Sequence, residues 1–304
     1  IHKQNARAIN VQMPGTGDGA PRSKPVTYAP TIHALAALTH TTGGSGREDI
    51  GIGFSYNDHQ AGLHGAVAVL AALEQRHRTG IGHRVDISQF EVGVNFLGPS
   101  LLDYFANGSK ARPVANDLPY DLAAPHGCYP CKDDRPNPDN IPGLGERWIA
   151  IACMSDAQWV ALKTLMSNPQ WAASEELNDA RGRAAHKALL EQNLSRWTQN
   201  QDAYDLMVRC QAAGVPAGVV QDGADLLEHD PQLADVKFAR RMEDEHPDLG
   251  PTWIDALPIH FSKTPCDQYE RVRAIGEDNA AVLQSWLGMP AKEIATKEKD
   301  GVLQ

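Results

Sequence analysis

The feature that most constrains the fold is one long apolar helix. The run DHQAGLHGAVAVLAALEQRHRTG begins at Asp58 and ends at Gly80. Asp58 stands where a helix N-cap belongs, basic residues 76–78 occupy the last turn, and Gly80 is placed for a C-terminal stop. Because the helix is apolar nearly all the way round, we expect it to be buried on several sides.

The pattern around this helix predicts an α/β fold. Strand-like segments at Ala8–Met13 and Arg84–Ile87 alternate with helices starting near Pro30 and Gln89. Residues 107–145 are rich in Pro, Asp, Asn and Gly and indicate a domain boundary. Further along, Ser155 is predicted to cap a helix that buries Trp159 and Leu162. The predicted domains are 1–110, 111–214 and 215–304.

Composition excludes several classes of protein. The chain of 304 residues carries a formal net charge of -10, and its Lys and Arg residues are scattered, so a nucleic-acid surface is not expected. No apolar run approaches the roughly 18 residues needed to cross a membrane. Five cysteines without disulfide-framework spacing predict a reducing compartment, the cytoplasm. The start lacks signal-peptide features, and its early strand predicts that the sequence begins inside a domain.

Asp58 is the first candidate for chemistry. An Asp in front of a helix is usually only an N-cap. However, an aspartate is ionised near neutral pH, so it can attack an acyl thioester without a separate base. Free N–H groups of the first helical turn would suit the resulting oxyanion, and Gly62 would let a bulky acyl group approach.

The segment AAPHGCYPC, residues 123–131, is the second candidate. Its C-x-x-C lacks the partners of a zinc site and the flanks of a thioredoxin helix, so a loop running into a strand is preferred. His126 and Gly127 suit either a pocket wall or mobile lid, or a plain surface turn. The histidines show no metal spacing, and neither a G-x-S-x-G elbow, a P-loop nor a complete G-x-G-x-x-G is present.

Several separated motifs resemble the family III CoA-transferases. The central run GFSYNDHQAGLHGAVAVLAALEQRHRTGIGHRVDISQFE looks like that family's central segment. The tail pieces GVPAGVVQDGADLLEHDPQL, HPDLG and IGEDNAAVLQSWLGM resemble its closing segments in the same order. The resemblance extends over nearly all of the chain.

The resemblance implies roles for three sites. The family's nucleophilic Asp falls on Asp58, in its Asp-x-x-x-Gly context. The segment that contacts coenzyme A falls on Val26, Thr27, Tyr28 and Ala29. The flexible loop that shields the intermediates falls on Ala124, Pro125, His126 and Gly127, where Ala-Pro-His-Gly replaces the run of glycines found in some members.

The resemblance also implies an architecture. Family members fold as a Rossmann-like large domain built from both ends of the chain, with a smaller α+β domain inserted between them. Residues 1–110 and 215–304 would belong to the large domain and 111–214 to the small one. Two such chains interlock as a dimer. The first part of the large domain is predicted to be missing here.

The leading hypothesis is an enzyme that transfers CoA, a sulfur-containing group, from an acyl-CoA to a small carboxylic acid. CoA would be a substrate, with no tightly bound cofactor and no metal. A 2-methylacyl-CoA racemase is an alternative, but those enzymes carry a His where this chain has Thr27. A non-catalytic CoA-binding subunit that needs a partner is the other alternative.

Overall fold

The computed structural model describes residues 3–19, 21, 24, 26–44, 50–118, 123–134, 139, 145–244 and 246–303. The chain divides into two compact units, residues 1–219 and 220–304. Parts of the proline-rich boundary region, residues 119–122, 135–138 and 140–144, lie outside the described residues. The three predicted domains stay a prediction.

The first half of unit 1 is built on two parallel strands. β1 (Asn10–Gln12) pairs with β2 (Arg84–Asp86), with Val11 opposite Val85. Parallel strands need a long crossover, and here helices supply it. The helices of this half are α1 (Ala29–Leu35), α2 (Leu38–Thr41), α3 (Tyr56–Thr79), α4 (Gln89–Asn95) and α5 (Gly98–Asn107).

Helix α3 is the predicted long helix, and its C-terminus is as expected. Gly80 adopts a left-handed φ of 75° and its N–H donates to the carbonyl of Arg76. The prediction of burial on several sides is wrong for this chain. The apolar side chains of α3 that are buried are small ones, Ala61 and Ala72, whereas most of the large apolar ones are exposed. The exposed set includes Leu63, Val67 and Leu70.

The second half of unit 1 is a three-stranded antiparallel sheet of order β3-β4-β5. Its strands are β3 (His126–Pro130), β4 (Trp148–Ala152) and β5 (Ala217–Val219). Four helices complete this half, α6 (Asp156–Leu165), α7 (Ala180–Ala185), α8 (Lys187–Thr198) and α9 (Ala203–Ala212). Two 3-10 turns, Gln170–Ala173 and Glu175–Leu177, join α6 to α7.

The main hydrophobic core lies between this sheet and its helices. Alternate strand residues point into it, including Tyr129, Ile149 and Ile151. Trp159 and Leu162 of α6 are fully buried there, as the sequence predicts. The predicted N-cap of α6 is confirmed, since the Ser155 hydroxyl accepts the N–H of Gln158.

Unit 2 contains short elements and two terminal helices. They are a π-helical turn (Asp225–His229), α10 (Pro231–Asp235), the antiparallel pair β6 (Ala239–Arg241) and β7 (Trp253–Asp255), α11 (Asn279–Leu287) and α12 (Ala291–Lys299). The HPDLG motif is a turn closed by its own histidine. Nδ1 of His246 accepts the N–H groups of Asp248 and Leu249 at 3.1 and 3.2 Å.

The fold is therefore mixed α/β with small sheets, while the Rossmann-like large domain and the interlocked dimer stay predictions. None of the helices in the described ranges combines the length and apolar composition that crossing a bilayer requires. The part of the chain that the structure describes contains no group of three His, Cys, Asp or Glu side chains placed to hold a metal ion.

Candidate active site

Asp58 lies in the first turn of α3, as its third residue. The residue at the N-cap position is Ser55, so the prediction that Asp58 is the N-cap is wrong by three positions. The Asp58 side chain is exposed and makes no hydrogen bond or ion pair with any residue that the structure describes. An unpaired carboxylate thus stands at the positive end of a helix of 24 residues.

The N–H groups of this first turn are all occupied. Tyr56 donates to the carbonyl of Phe54 at 2.7 Å, and Asp58 and His59 donate to the carbonyl of Ser55 at 3.1 and 3.3 Å. The remaining one, the N–H of Asn57, donates to a side chain of α1. The expectation of free oxyanion donors here is therefore wrong, because local turns and a tertiary contact have already satisfied the orphan N–H groups.

Asn57, directly before Asp58, is the anchor of the turn. It is fully buried, and its backbone N–H donates to Nε2 of His33 at 3.3 Å. Its side-chain Nδ2 donates to the carbonyl of Gln89 at 3.0 Å. Gly93 of α4 makes room for it, since a Cβ there would lie 2.6 Å from Nδ2 of Asn57. Helices α1, α3 and α4 are therefore fixed to one another at the residue next to Asp58.

The approach to Asp58 is open on the helix surface. Gly62 lies one turn further along α3, and a Cβ there would have nothing within 4 Å. The Phe54 ring stacks on His59 with centroids 4.6 Å apart, which orders the entry to the helix. The role of Gly62 in admitting an acyl group stays a prediction.

The segment Val26–Ala29 leads directly into α1, the helix that carries His33. Val26 and Tyr28 are strongly exposed, and the N–H of Tyr28 is capped by the hydroxyl of Thr31 at 2.9 Å. Thr27 points back at Gly15, because a Cβ on Gly15 would lie 1.8 Å from its Oγ1. The structure links this segment to the Asp58 turn through His33, while its contact with CoA stays a prediction.

The segment Ala124–Gly127 belongs to the second half of unit 1. Ala124 and Pro125 are buried, and His126 and Gly127 are the first residues of β3, opposite Ala152 and Ile151 of β4. The preferred interpretation of a loop running into a strand is confirmed. The role of the segment as a lid over intermediates is not tested by these contacts and stays a prediction.

Two of the cavities in unit 1 are lined in part by this segment. A small one of about 170 Å³ is lined by both Ala124 and His126 and by the charged side chains Arg112, Asp117, Lys187 and Glu191. The other, about 570 Å³, lies against small residues of the sheet such as Ala150 and Gly218. Asp58 lines neither cavity.

The lysine of the small cavity is held in ion pairs. Lys187 contacts both Asp117 and Glu191, the latter at 3.1 Å. Burial alone would lower the pKa of Lys187, but its hydrogen bonds to the two carboxylates outweigh burial and raise the pKa. Lys187 therefore stays charged and paired, and Arg112 is the cation of this cavity without a partner among the described residues.

The C-x-x-C pair is formed by free thiols. Cys128 is partly exposed on β3, and Cys131 is buried just beyond it. Burial raises the pKa of Cys128 and raises that of Cys131 to about 11, which opposes thiolate chemistry at neutral pH.

Comparison with known proteins decides the family. Residues 1–279 match the family described as CoA-transferase family III. The chain belongs to this family. It is 30% identical, over 96% of its length, to a protein of Mycobacterium tuberculosis named as a probable CoA-transferase, and it spans 36% of that protein.

Two further relatives agree with the assignment. The chain is 26% identical, over 100% of its length, to succinyl-CoA–D-citramalate CoA-transferase of Chloroflexus aurantiacus, of which it spans 71%. A crystal structure of a CAIB/BAIF family protein from Brucella suis superposes with a TM-score of 0.77 at 26% identity. That superposition covers 92% of this chain and 68% of the Brucella chain.

Two residues that hold the Asp58 turn, His33 and Asn57, are not predicted from the sequence. The lack of metal spacing among the histidines leaves His33 without a predicted role, and Asn57 belongs to no predicted site. They are 24 positions apart, and no periodic pattern relates them. The one available signal was the position of Asn57, a polar side chain at the buried start of an apolar helix.

Proposed function

We propose that this chain acts as a CoA-transferase that moves coenzyme A from an acyl-CoA to a free carboxylic acid, with Asp58 as the covalent nucleophile. The observation that carries the proposal is the Asp58 carboxylate itself. It is exposed, has no partner among the described residues, and follows a residue that is fixed on two sides. A carboxylate that served only the fold would be expected to cap or pair.

The proposed reaction proceeds by acyl transfers between carboxylates and thiolate. The Asp58 carboxylate attacks the thioester carbonyl of the donor, which expels CoA thiolate and leaves a mixed anhydride. The thiolate attacks the Asp58 carbonyl of that anhydride, which releases the donor acid and forms an aspartyl-CoA thioester. The acceptor carboxylate attacks this thioester, which expels CoA thiolate again and leaves a second anhydride. The thiolate then attacks the acceptor carbonyl, which yields the new acyl-CoA and restores Asp58.

The protein's part is to orient the nucleophile and stabilise negative charge. The positive end of the α3 dipole favours the carboxylate and the oxyanions that form on it. Because the first-turn N–H groups are occupied, any direct oxyanion donor must come from elsewhere. The exposed residues Val26 and Tyr28 are proposed to contact CoA, and the segment Ala124–Gly127 is proposed to cover the intermediates.

The two alternatives receive no support from the described residues. A racemase would need a histidine at the position of Thr27, and that side chain is packed against Gly15. A non-catalytic subunit would have no need for an unpaired carboxylate at Asp58. We also propose that the protein is cytoplasmic and has a Rossmann-like large domain. We further propose that it is a homodimer, which the mass of the purified chain in light scattering would test.

Trapping the intermediate tests the proposal. The first donor to use is succinyl-CoA, since the Chloroflexus relative is named for it. After incubation with donor, hydroxylamine should convert Asp58 to a hydroxamate, and borohydride should reduce the aspartyl thioester to an alcohol. Peptide mapping should place both labels on Asp58, and Asp58→Asn should show neither.

An unlabelled Asp58 in protein that still turns over acyl-CoA would remove the mechanism. Exchange of the α-proton of a 2-methylacyl-CoA in deuterated water, without any acceptor acid, would instead favour the racemase. Binding of CoA without turnover or label would favour the non-catalytic subunit.

A further inference from the structure

Arg183, in helix α7, is a fully buried cation that the proposed reaction does not use directly. Its guanidinium donates in three directions, to two backbone carbonyls and one carboxylate. Nε donates to the carbonyl of Ala124 at 2.6 Å, and Nη1 to the carbonyl of Leu177 at 3.2 Å. Nη2 donates to Oδ1 of Asp156 at 2.8 Å.

The protein is built to deliver this side chain. Asp179 caps α7 by accepting the N–H of Gly182 at 2.7 Å. Gly182 has to be a glycine, because a Cβ there would lie 1.8 Å from the carbonyl oxygen of Glu176. The close packing of α7 on the preceding 3-10 turn lets Arg183 reach Ala124 across 59 positions of sequence. The Trp159 ring, 5.8 Å from the guanidinium carbon, forms one wall of its pocket.

A second bond completes the attachment of the same segment. The carbonyl of Pro125 accepts the N–H of Cys153 at 2.8 Å. Consecutive carbonyls, those of Ala124 and Pro125, are therefore held from inside, one by Arg183 and the other by the end of β4. His126 is also held, since its Nδ1 lies 2.5 Å from the carbonyl of Asn116.

Stability alone is a poor explanation for this arrangement. The attraction within a buried ion pair offsets the cost of removing both charges from water only when the geometry is good. Replacing such a pair with apolar residues often leaves the stability of the protein unchanged. Here the carboxylate of Asp156 remains 59% exposed, so it can be solvated without Arg183. The backbone carbonyl of Ala124 cannot be solvated in this way, because Ala124 is buried and its carbonyl faces Arg183.

We infer that Arg183 is a positioning residue for the proposed CoA transfer: it fixes the segment Ala124–Gly127, which is proposed above to cover the intermediates, so that these meet an acceptor carboxylate and not water. The inference rests on the proposed function. Arg183 touches no substrate and acts only through the backbone of Ala124. The segment is fixed at Ala124 and Pro125. Any movement of a lid is therefore confined to residues outside these two.

The test compares how acyl-CoA is divided between transfer and hydrolysis. Arg183→Met keeps the apolar part of the side chain and removes every hydrogen-bond donor. Arg183→Lys keeps the positive charge, but its single ammonium group cannot reproduce the three hydrogen bonds of the planar guanidinium. The matched control is Arg181→Met, an exposed arginine on the same helix. Each variant is assayed for transfer and for hydrolysis of succinyl-CoA, and hydrogen exchange is measured at the Cys153 amide.

In Arg183→Met we expect transfer to fall by up to about a hundredfold, since small displacements near a reaction cost that much. The fraction of succinyl-CoA that is hydrolysed should rise, and the Cys153 amide should exchange faster. Arg183→Lys should give values between those of Arg183→Met and wild type in each of these measurements. Arg181→Met should match wild type in all three readouts.

Equal losses of transfer and hydrolysis would overturn the inference, because a purely structural defect lowers both together. So would an unchanged Cys153 amide. If Arg183→Met does not fold, the milder Arg183→Lys must shift the division between transfer and hydrolysis, and the exchange of the Cys153 amide, in the same direction. Failure of the proposed function looks different, since wild-type protein would then show no label on Asp58.

Discussion

Nε2 of His33 accepts the backbone N–H of Asn57 at 3.3 Å. This bond joins α1, which follows the segment proposed to contact CoA, to the turn that carries the proposed nucleophile. It also satisfies one of the four N–H groups that a helix start leaves without a partner. The orientation of Asp58 is therefore set by a helix to which Asp58 itself does not belong.

Replacing His33 should disturb both stability and catalysis. In His33→Leu the buried N–H of Asn57 loses its acceptor, so the free energy of unfolding should fall by about 1–3 kcal/mol. Labelling of Asp58 by hydroxylamine should slow as well. His33→Gln, which retains an acceptor oxygen, is the matched control and should recover part of both losses. Equal behaviour of the Leu and Gln variants in urea unfolding would contradict this role of the ring.

Gly93→Ala should displace the same turn from the other side. The added Cβ would lie 2.6 Å from Nδ2 of Asn57 and 2.8 Å from the Cβ of Ala36. Overpacking of this kind costs about 1–3 kcal/mol, which urea unfolding would measure. Gly98→Ala on α5 is the control, because its Cβ meets nothing within 4 Å. A Gly93 variant as stable as the Gly98 variant would show that the helices separate easily.

Asp58→Asn should separate catalysis from helix stability. Loss of a covalent nucleophile should lower kcat by on the order of 10⁴-fold. Loss of one negative charge in the first turn should cost only about 0.3–1 kcal/mol of unfolding free energy. Glu74→Gln, on the same helix and paired among the described residues with exposed Arg78 alone, should leave kcat unchanged. Residual transfer near the wild-type rate would assign the nucleophile to another group.

Gly62→Ala should stabilise the fold and impair the reaction. Its Cβ has open space, and Ala is favoured over Gly in a helix by about 1 kcal/mol, so unfolding should require more urea. The same methyl group narrows the approach to Asp58, and kcat/KM for the bulkiest acyl donors should fall by about tenfold. A variant that is more stable and equally active with all donors would place the acyl group elsewhere.

Local signals predicted the long helix and its C-terminus, the Ser155 cap of α6 and the strand after Pro125. Each depends on residues within a few positions of one another, and such contacts can be derived from spacing. The bonds that fix the two site segments are tertiary. His33 with Asn57 and Arg183 with Ala124 join residues 24 and 59 positions apart, through side chains that obey no period.

The start of α3 shows why local rules failed there. An Asp before an apolar run is a standard N-cap signal, and it predicts a helix from residue 59. The helix begins three residues earlier, at Tyr56, because buried Asn57 is held to the Gln89 carbonyl and to His33. These bonds fix helical geometry before Asp58, so its carboxylate is not needed to cap the helix.

The core of the three-stranded sheet contains thiols whose protonation is linked to folding. Cys153 and Cys210 are fully buried beside the sheet and its helices. Burial raises the pKa of Cys153 from 9.0 to about 12 and that of Cys210 from 9.0 to about 11. Exposed Cys266 provides an internal comparison in the other unit.

These thiols should make the protein less stable in alkali. Above about pH 9 the unfolded chain releases thiol protons that the folded chain retains, so the unfolded state binds fewer protons and stability falls as pH rises. The thiol contribution is complete below pH 9.0 and is lost as the pH rises toward 11–12. Urea unfolding across this range should show the decline, and Cys153→Ala should make it shallower. Because Cys266 is exposed in the folded state, Cys266→Ala should leave the slope unchanged, and a slope that depended on Cys266 and not on Cys153 would contradict the assignment.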